Sequence, residues 1–161
     1  MKIAIVVHSH TGNTYSVVQR LKEKLILAGH SVKVERIETT KETKTSENNL
    51  NKITLKSQPD ITTYDGLIFA APVRGFSISP VLAAYLAHIK TLENKKVACI
   101  VTEFFPFPWM GGNRAIEQMK NICESKGAMI SGTGVINWMS NQREKRTNNL
   151  VEEANSWFKG I

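Results

Sequence analysis

The sequence lacks what would mark a secreted, membrane-spanning or triphosphate-binding chain. Its 161 residues include only two cysteines, and these share no CxxC spacing. Cys99 lies in an apolar, strand-like run and Cys123 in a helical one. That pattern reads as two isolated buried thiols rather than a disulfide framework or a metal pair. No apolar stretch approaches the ~20 residues that span a bilayer. The opening "MKIAIVV" leads straight into "HSHTGNT" without a cleavage site. It lacks a signal peptide's architecture, and the cytoplasm is the expected compartment. There is no GK[ST] for a nucleoside triphosphate loop and no GxGxxG for a dinucleotide fold. The first apolar run ends in Val7-His8-Ser9, without the carboxylates a phosphoacceptor domain requires. No Ser-His-Asp or Cys-His grouping stands out, and Glu103 and Glu117 form no evident acid–base pair.

What is present is an ordinary globular composition: 42% hydrophobic and 22% charged residues, in a length that suits one domain over 1–161. The formal net charge is +7, which favours anionic ligands or partners without naming one. The basic residues are scattered. Their one modest concentration, Arg143-Glu144-Lys145-Arg146, reads as a solvated helical face, and no nucleic-acid motif accompanies it.

Apolar runs and helical periodicities alternate along the chain. Ile3–Val7, Leu67–Ala71 and Val97–Val101 are continuous apolar runs, as expected for strands buried on both faces. Ser31–Ile37 alternates instead, with Val32, Val34 and Arg36 on one side, and reads as a half-exposed edge strand. Met129–Ile136 is a last strand, loosened by Gly132 and Gly134. Helical spacing joins Val17, Val18, Leu21, Leu25 and Ala28 before Gly29, and again Val81, Leu82, Tyr85, Leu86 and Ile89 after the Ser79-Pro80 start. Two more helices carry Ala115, Ile116, Met119, Ile122 and Cys123, then Leu150, Val151, Ala154, Trp157 and Phe158. Five strands alternating with helices imply an α/β sandwich of three layers, with a parallel sheet of order 2-1-3-4-5. Residues 39–63 are polar and poorly periodic; they read as a surface excursion with at most a short helix near 47–52.

In such a sheet, ligands bind beyond the carboxyl ends of the strands, near the point where strand order reverses. Three loops therefore matter. In the first, Ser9, Thr11 and Thr14 supply hydroxyls, Asn13 an amide, and Gly12 a close backbone approach. A helix start adds free N–H groups and the positive dipole end, so the loop suits a phosphate; the bland alternative is a hydroxyl-rich helix cap. In the second loop, "APVRGFSISP", Gly75 frees the backbone, while Phe76 and Arg74 offer a ring contact and a cation. The third, "TEFFPFPWMGG", interleaves Phe104, Phe105, Phe107 and Trp109 with Pro106 and Pro108, giving a stiff apolar surface. Core filling or a homodimer interface would also use such aromatics. His8 and His10 have the minimum spacing for a metal pair, but no further ligand is visible, and both read as loop packing.

"SHTGNT" directly after an N-terminal strand resembles the FMN-phosphate loop of the flavodoxin family, [ST]-x-T-G-x-T, and the strand–helix alternation extends the resemblance over nearly the whole chain. The resemblance implies a flavodoxin-like fold and non-covalent FMN, its phosphate held by Ser9, His10, Thr11, Gly12, Asn13 and Thr14. It implies a flavin flanked by Pro72, Val73, Arg74, Gly75, Phe76 and Ser77 on one side, and by Thr102, Glu103, Phe104, Gly111 and Gly112 on the other. The Gly-Gly that closes the third loop looks more like the quinone reductase branch.

Two functions follow as expectations. One is an NAD(P)H-dependent FMN oxidoreductase that reduces a quinone or similar acceptor. The other is a flavodoxin-type electron carrier served by a redox partner protein. Carriers of this family are usually acidic, and a +7 chain departs from that pattern. Neither membrane nor nucleic acid is an expected partner, and residues 104–110 offer a homodimer surface.

Overall fold

The computed structural model describes residues 1–9, 11–40 and 53–160. Its element order is β1 (Lys2–Val7), α1 (Asn13–Leu27), β2 (Ser31–Arg36), β3 (Gly66–Pro72), α2 (Pro80–His88), β4 (Lys96–Glu103), α3 (Gly112–Ser125), β5 (Met129–Asn137) and α4 (Arg143–Trp157). The five strands form one parallel sheet of order β2-β1-β3-β4-β5. The expected short helix near 47–52 lies outside the described residues. Either side of that segment, Thr39 and Leu55 form an antiparallel bridge.

Strand alternation sorts the apolar runs onto two faces. Ala4, Val6, Leu67, Phe69, Ala71, Val97, Cys99 and Val101 face one way and meet Val81, Leu82, Tyr85 and Leu86 of α2 and Ala115, Ile116, Met119 and Cys123 of α3. Ile3, Ile5, Val7, Ile68, Ala70, Ala98 and Ile100 face the other way, onto Val17, Val18, Leu21 and Leu25 of α1 and Leu150, Val151, Ala154 and Trp157 of α4. This is why Ile3–Val7, Leu67–Ala71 and Val97–Val101 are apolar at every position: helices cover both sides. Each fully buried aliphatic side chain contributes about 1.5–3 kcal/mol. In the first face Cys99 of β4 and Cys123 of α3 join the same cluster, and both thiols are free and buried.

β2 is the half-exposed edge the alternation predicts, with Val32 and Val34 packed against the α1 face. Two details differ from expectation. α1 stops at Leu27, so Ala28 is an exposed cap residue rather than part of the buried stripe. Gly132 and Gly134 do more than loosen β5, whose register against β4 shifts between Ile130 and Gly132: they also admit α4, since a Cβ at Gly132 would come within 2.2 Å of Trp157 and one at Gly134 within 2.4 Å of Leu150. Among the described residues no helix is long and apolar enough to cross a membrane.

Candidate functional site

β1, β3 and β4 end at the same sheet edge, and the ladder runs one step past them. His8 N–H donates to Ala70 O at 3.0 Å and Val73 N–H to Thr102 O at 2.8 Å. The three loops singled out from sequence therefore start side by side. In the first, Gly12 is the N-cap of α1, with φ +87°, and no side chain caps the helix. The hydroxyl-rich cap is thus not what this loop forms. Ser9 Oγ instead accepts from Gly12 N–H at 3.2 Å. Among the described residues, the backbone N–H groups of Asn13, Thr14 and Tyr15 have no recorded acceptor, and a Cβ on Gly12 would meet nothing within 4 Å. The result is an open helix end with donors and a positive dipole facing outward. Thr14 is buried, and its hydroxyl hydrogen-bonds Thr102 Oγ1 at 2.7 Å, tying α1 to the end of β4. Thr11 and Gly12 are exposed. His10 lies outside the described residues.

The second loop closes as a tight two-residue turn. Arg74 and Ser77 exchange both backbone hydrogen bonds at 3.0 Å, around Gly75 (φ +54°) and Phe76 (φ +60°). Two left-handed centres are what a type I′ turn needs, yet a phenylalanine there costs about 1–2 kcal/mol. Neighbours hold it. Gln118 Oε1 on α3 accepts from Ser77 Oγ at 2.7 Å and Ile78 N–H at 2.8 Å. The Phe76 ring stacks on Phe105, centroids 5.7 Å apart and 3° from parallel. A Cβ at Gly111 would lie 2.7 Å from Phe76 Cα, so the second and third loops meet closely only because Gly111 has none. Pro72 and Val73 are half-buried at the base, and Arg74 is exposed.

The third loop hangs from a buried polar cluster. Glu103 is 5% exposed, and its carboxylate accepts from Gly112 N–H at 3.0 Å and from Asn137 Nδ2. Asn137 Nδ2 also reaches Phe105 O at 3.0 Å, while its Oδ1 accepts from Arg146 Nη1 at 2.8 Å. Burial pushes the Glu103 carboxyl above the ordinary carboxylate range, and the bonds from Asn137 and Gly112 oppose that shift. Both ends of the loop are thereby pinned, and the exposed Phe104 leads the aromatics into solvent. The side chain of Glu103 points into this cluster; what it offers the loop edge is backbone.

Gln118, Asn137 and Arg146 hold the site together, and sequence reading did not find them. A polar residue ending the apolar Val135-Ile136 run was the available signal for Asn137; nothing marked Gln118. His8, expected to pack within its loop, is buried, and its pairing with His10 falls outside the described residues. His8 Nδ1 lies 3.3 Å from Ser79 Oγ, and no group of three or more metal-ligating side chains occurs among the described residues.

Residues 1–154 match the family described as NADPH-dependent FMN reductase. The chain belongs to that family. FMN is the cofactor of this oxidoreductase of flavodoxin-like fold. A search of curated proteins gave no significant match. Similar solved structures include two-electron reduced Megasphaera elsdenii flavodoxin, 20% identical, with 95% of this chain and 98% of that one covered and a TM-score of 0.67. Oxidised Flavodoxin 1 from Bacillus cereus is 15% identical over 100% and 99% of the two chains, with a TM-score of 0.70. An azoreductase from Bacillus anthracis is 13% identical over 96% and 97%, with a TM-score of 0.65. At these identities the likeness is one of fold. The open α1 end and the hydroxyls beside it fit the phosphate of FMN, and no carboxylate lies in residues 8–14 to repel it.

Proposed function

We propose that this FMN reductase oxidises NAD(P)H and passes the electrons to a quinone or a similar flat acceptor. Ser9, His10, Thr11, Gly12, Asn13 and Thr14 would hold the FMN phosphate. Residues 72–77, with Thr102, Glu103, Phe104, Gly111 and Gly112, would line the ring. Bound there, FMN supplies the capacity to accept a hydride and release its electrons onward. The residues of the chain bind, orient and exclude water. The observation that carries the reading is the uncapped α1 end, whose N–H groups and dipole need an anion that no side chain supplies. The stacked Phe76 and Phe105 support an apolar ring wall, and the exposed Arg74 beside them supports a cation at its rim.

Mixing the cofactor-free protein with FMN tests the first half: the flavin's fluorescence is expected to quench on binding. NADPH oxidation should then accelerate when a quinone is added. A protein that never quenches FMN would refute the site. A reductive titration giving two well-separated low potentials, with no quinone-stimulated turnover, would replace the reductase by the electron carrier.

A further inference from the structure

The loop end of the sheet is lopsided in both polarity and charge. Phe76, Phe104, Phe105, Phe107, Trp109 and Met139 are exposed there, Phe104 at 64% and Trp109 at 72%. They fall into two neighbouring groups on the same loop cluster: Phe76, Phe104, Phe105 and Met139, and the pair Phe107 and Trp109. Phe104 meets Phe105 edge-on at 6.0 Å, Phe107 and Trp109 stack at 5.6 Å, and Met139 N–H donates to Phe104 O at 3.2 Å. Together they expose several hundred Å², on the order of the largest apolar patch a monomer leaves open, and such patches mark contact surfaces.

Around this patch the charge has one sign. Residues 72–79, 104–113 and 138–142 contain no carboxylate. Exposed Arg74 flanks Phe76, exposed Arg114 follows Gly112 by two residues, and Arg143 stacks over Trp138 at 4.5 Å. Glu103 is buried and bonded, and the exposed Glu144 bridges to Arg20 at 3.4 Å. The helix ends sharpen the asymmetry. α3 and α4 begin here, so their positive dipole ends already face this surface. α3 has no acidic residue in its first turn and carries Arg114 there, and α4 sets Arg143, Lys145 and Arg146 against Glu144 alone. Cations at helix starts oppose the dipole, so helix stability does not account for them.

We infer that this face docks an acidic redox protein, its apolar contact on Phe104, Phe107 and Trp109 and its carboxylates on Arg74, Arg114 and Arg143. The partner's redox character rests on the flavin site proposed above; the surface itself does not. Aromatic residues, methionine and arginine are the types enriched in protein interfaces. A second copy of the chain is the competing occupant. In a two-fold interface it would set the arginine rim against itself, within a +7 molecule.

The probe is an oxidised, acidic [2Fe–2S] ferredoxin, titrated by calorimetry into the cofactor-free and FMN-loaded protein, with a basic cytochrome c as control. Binding is expected for the ferredoxin alone, weakening at least about tenfold between about 20 and 300 mM salt. Arg114→Glu and Trp109→Ser should each weaken it by about tenfold or more, with FMN quenching unchanged. Lys90, exposed beyond the C-terminus of α2 at the opposite sheet end, is the control: Lys90→Glu should leave binding as it was. Equal losses from Lys90→Glu and Arg114→Glu would reduce the effect to net charge and overturn the inference. So would absence of ferredoxin binding, or sedimentation of the chain alone as a dimer dispersed by Trp109→Ser. Ferredoxin binding without FMN quenching would remove the flavin reading and leave the surface standing.

Discussion

Glu103 keeps a carboxylate at 5% exposure, where two N–H donors offset part of the cost of burial. Its folded-state pKa lies above the ordinary value because burial outweighs those bonds. In the interval between the two values, the folded chain holds a proton that the unfolded chain has released. Stability therefore falls as pH rises through that interval, just above the usual carboxylate range. Glu103→Gln should flatten this slope in a series of melting curves at different pH. It should also lower stability by about 1–2 kcal/mol, because the amide nitrogen must face Gly112 N–H or Asn137 Nδ2, and both are donors. A variant that kept the wild-type slope would place the titration elsewhere. Arg74 invites a different measurement. A cation near the pyrimidine end of the flavin favours the reduced anion, so Arg74→Ala should lower the flavin potential, by roughly 0.5–1 kcal/mol per electron. An unchanged potential would remove Arg74 from the electrostatics of the site.

Elements were legible where burial dictates composition. The middles of β1, β3 and β4 are apolar without a break because helices cover both faces, and β2 alternates because it sits at an edge. The three loops were legible because small hydroxyls, glycines and aromatics interrupt the apolar runs at the strand ends. The supports behind them were not. Gln118 lies 40 residues from the Ile78 amide it holds, and Asn137 lies 34 from Glu103, separations with no local period to betray them. β5 was only half legible for a related reason: its register does shift at Gly132, but what packs on that glycine had no local signal. A glycine in a strand reads as weakness until the helix packed on it is known. With Trp157 atoms 2.2–2.4 Å from where a Gly132 Cβ would sit, Gly132→Ala must displace α4 or distort the strand. A loss of about 1–3 kcal/mol in denaturant unfolding is expected, with FMN affinity little changed. An Ala variant as stable as the parent would show that α4 yields freely.

At the scale of the whole molecule, the sheet separates two kinds of surface. The loop end gathers exposed aromatics, cations and the starts of the four described helices, while the layers on either side of the sheet bury the core. A net charge of +7 is therefore less informative than its placement: arginines surround the loops, and the carboxylates near them are buried or bridged. The core holds one further feature, the contact between Cys99 on β4 and Cys123 on α3. Hydrogen bonding to Cys123 and burial push the Cys99 thiol well above its ordinary range. Such a sulfur is neither ionised nor reachable in the folded chain, so an alkylating reagent must wait for the sheet and α3 to part. In weak denaturant, iodoacetamide uptake should track the opening of this layer and label both sulfurs together, while the native protein at neutral pH takes up almost none. Mass spectrometry would follow it directly. The pair thus serves as a built-in clock for how often the centre of the protein opens.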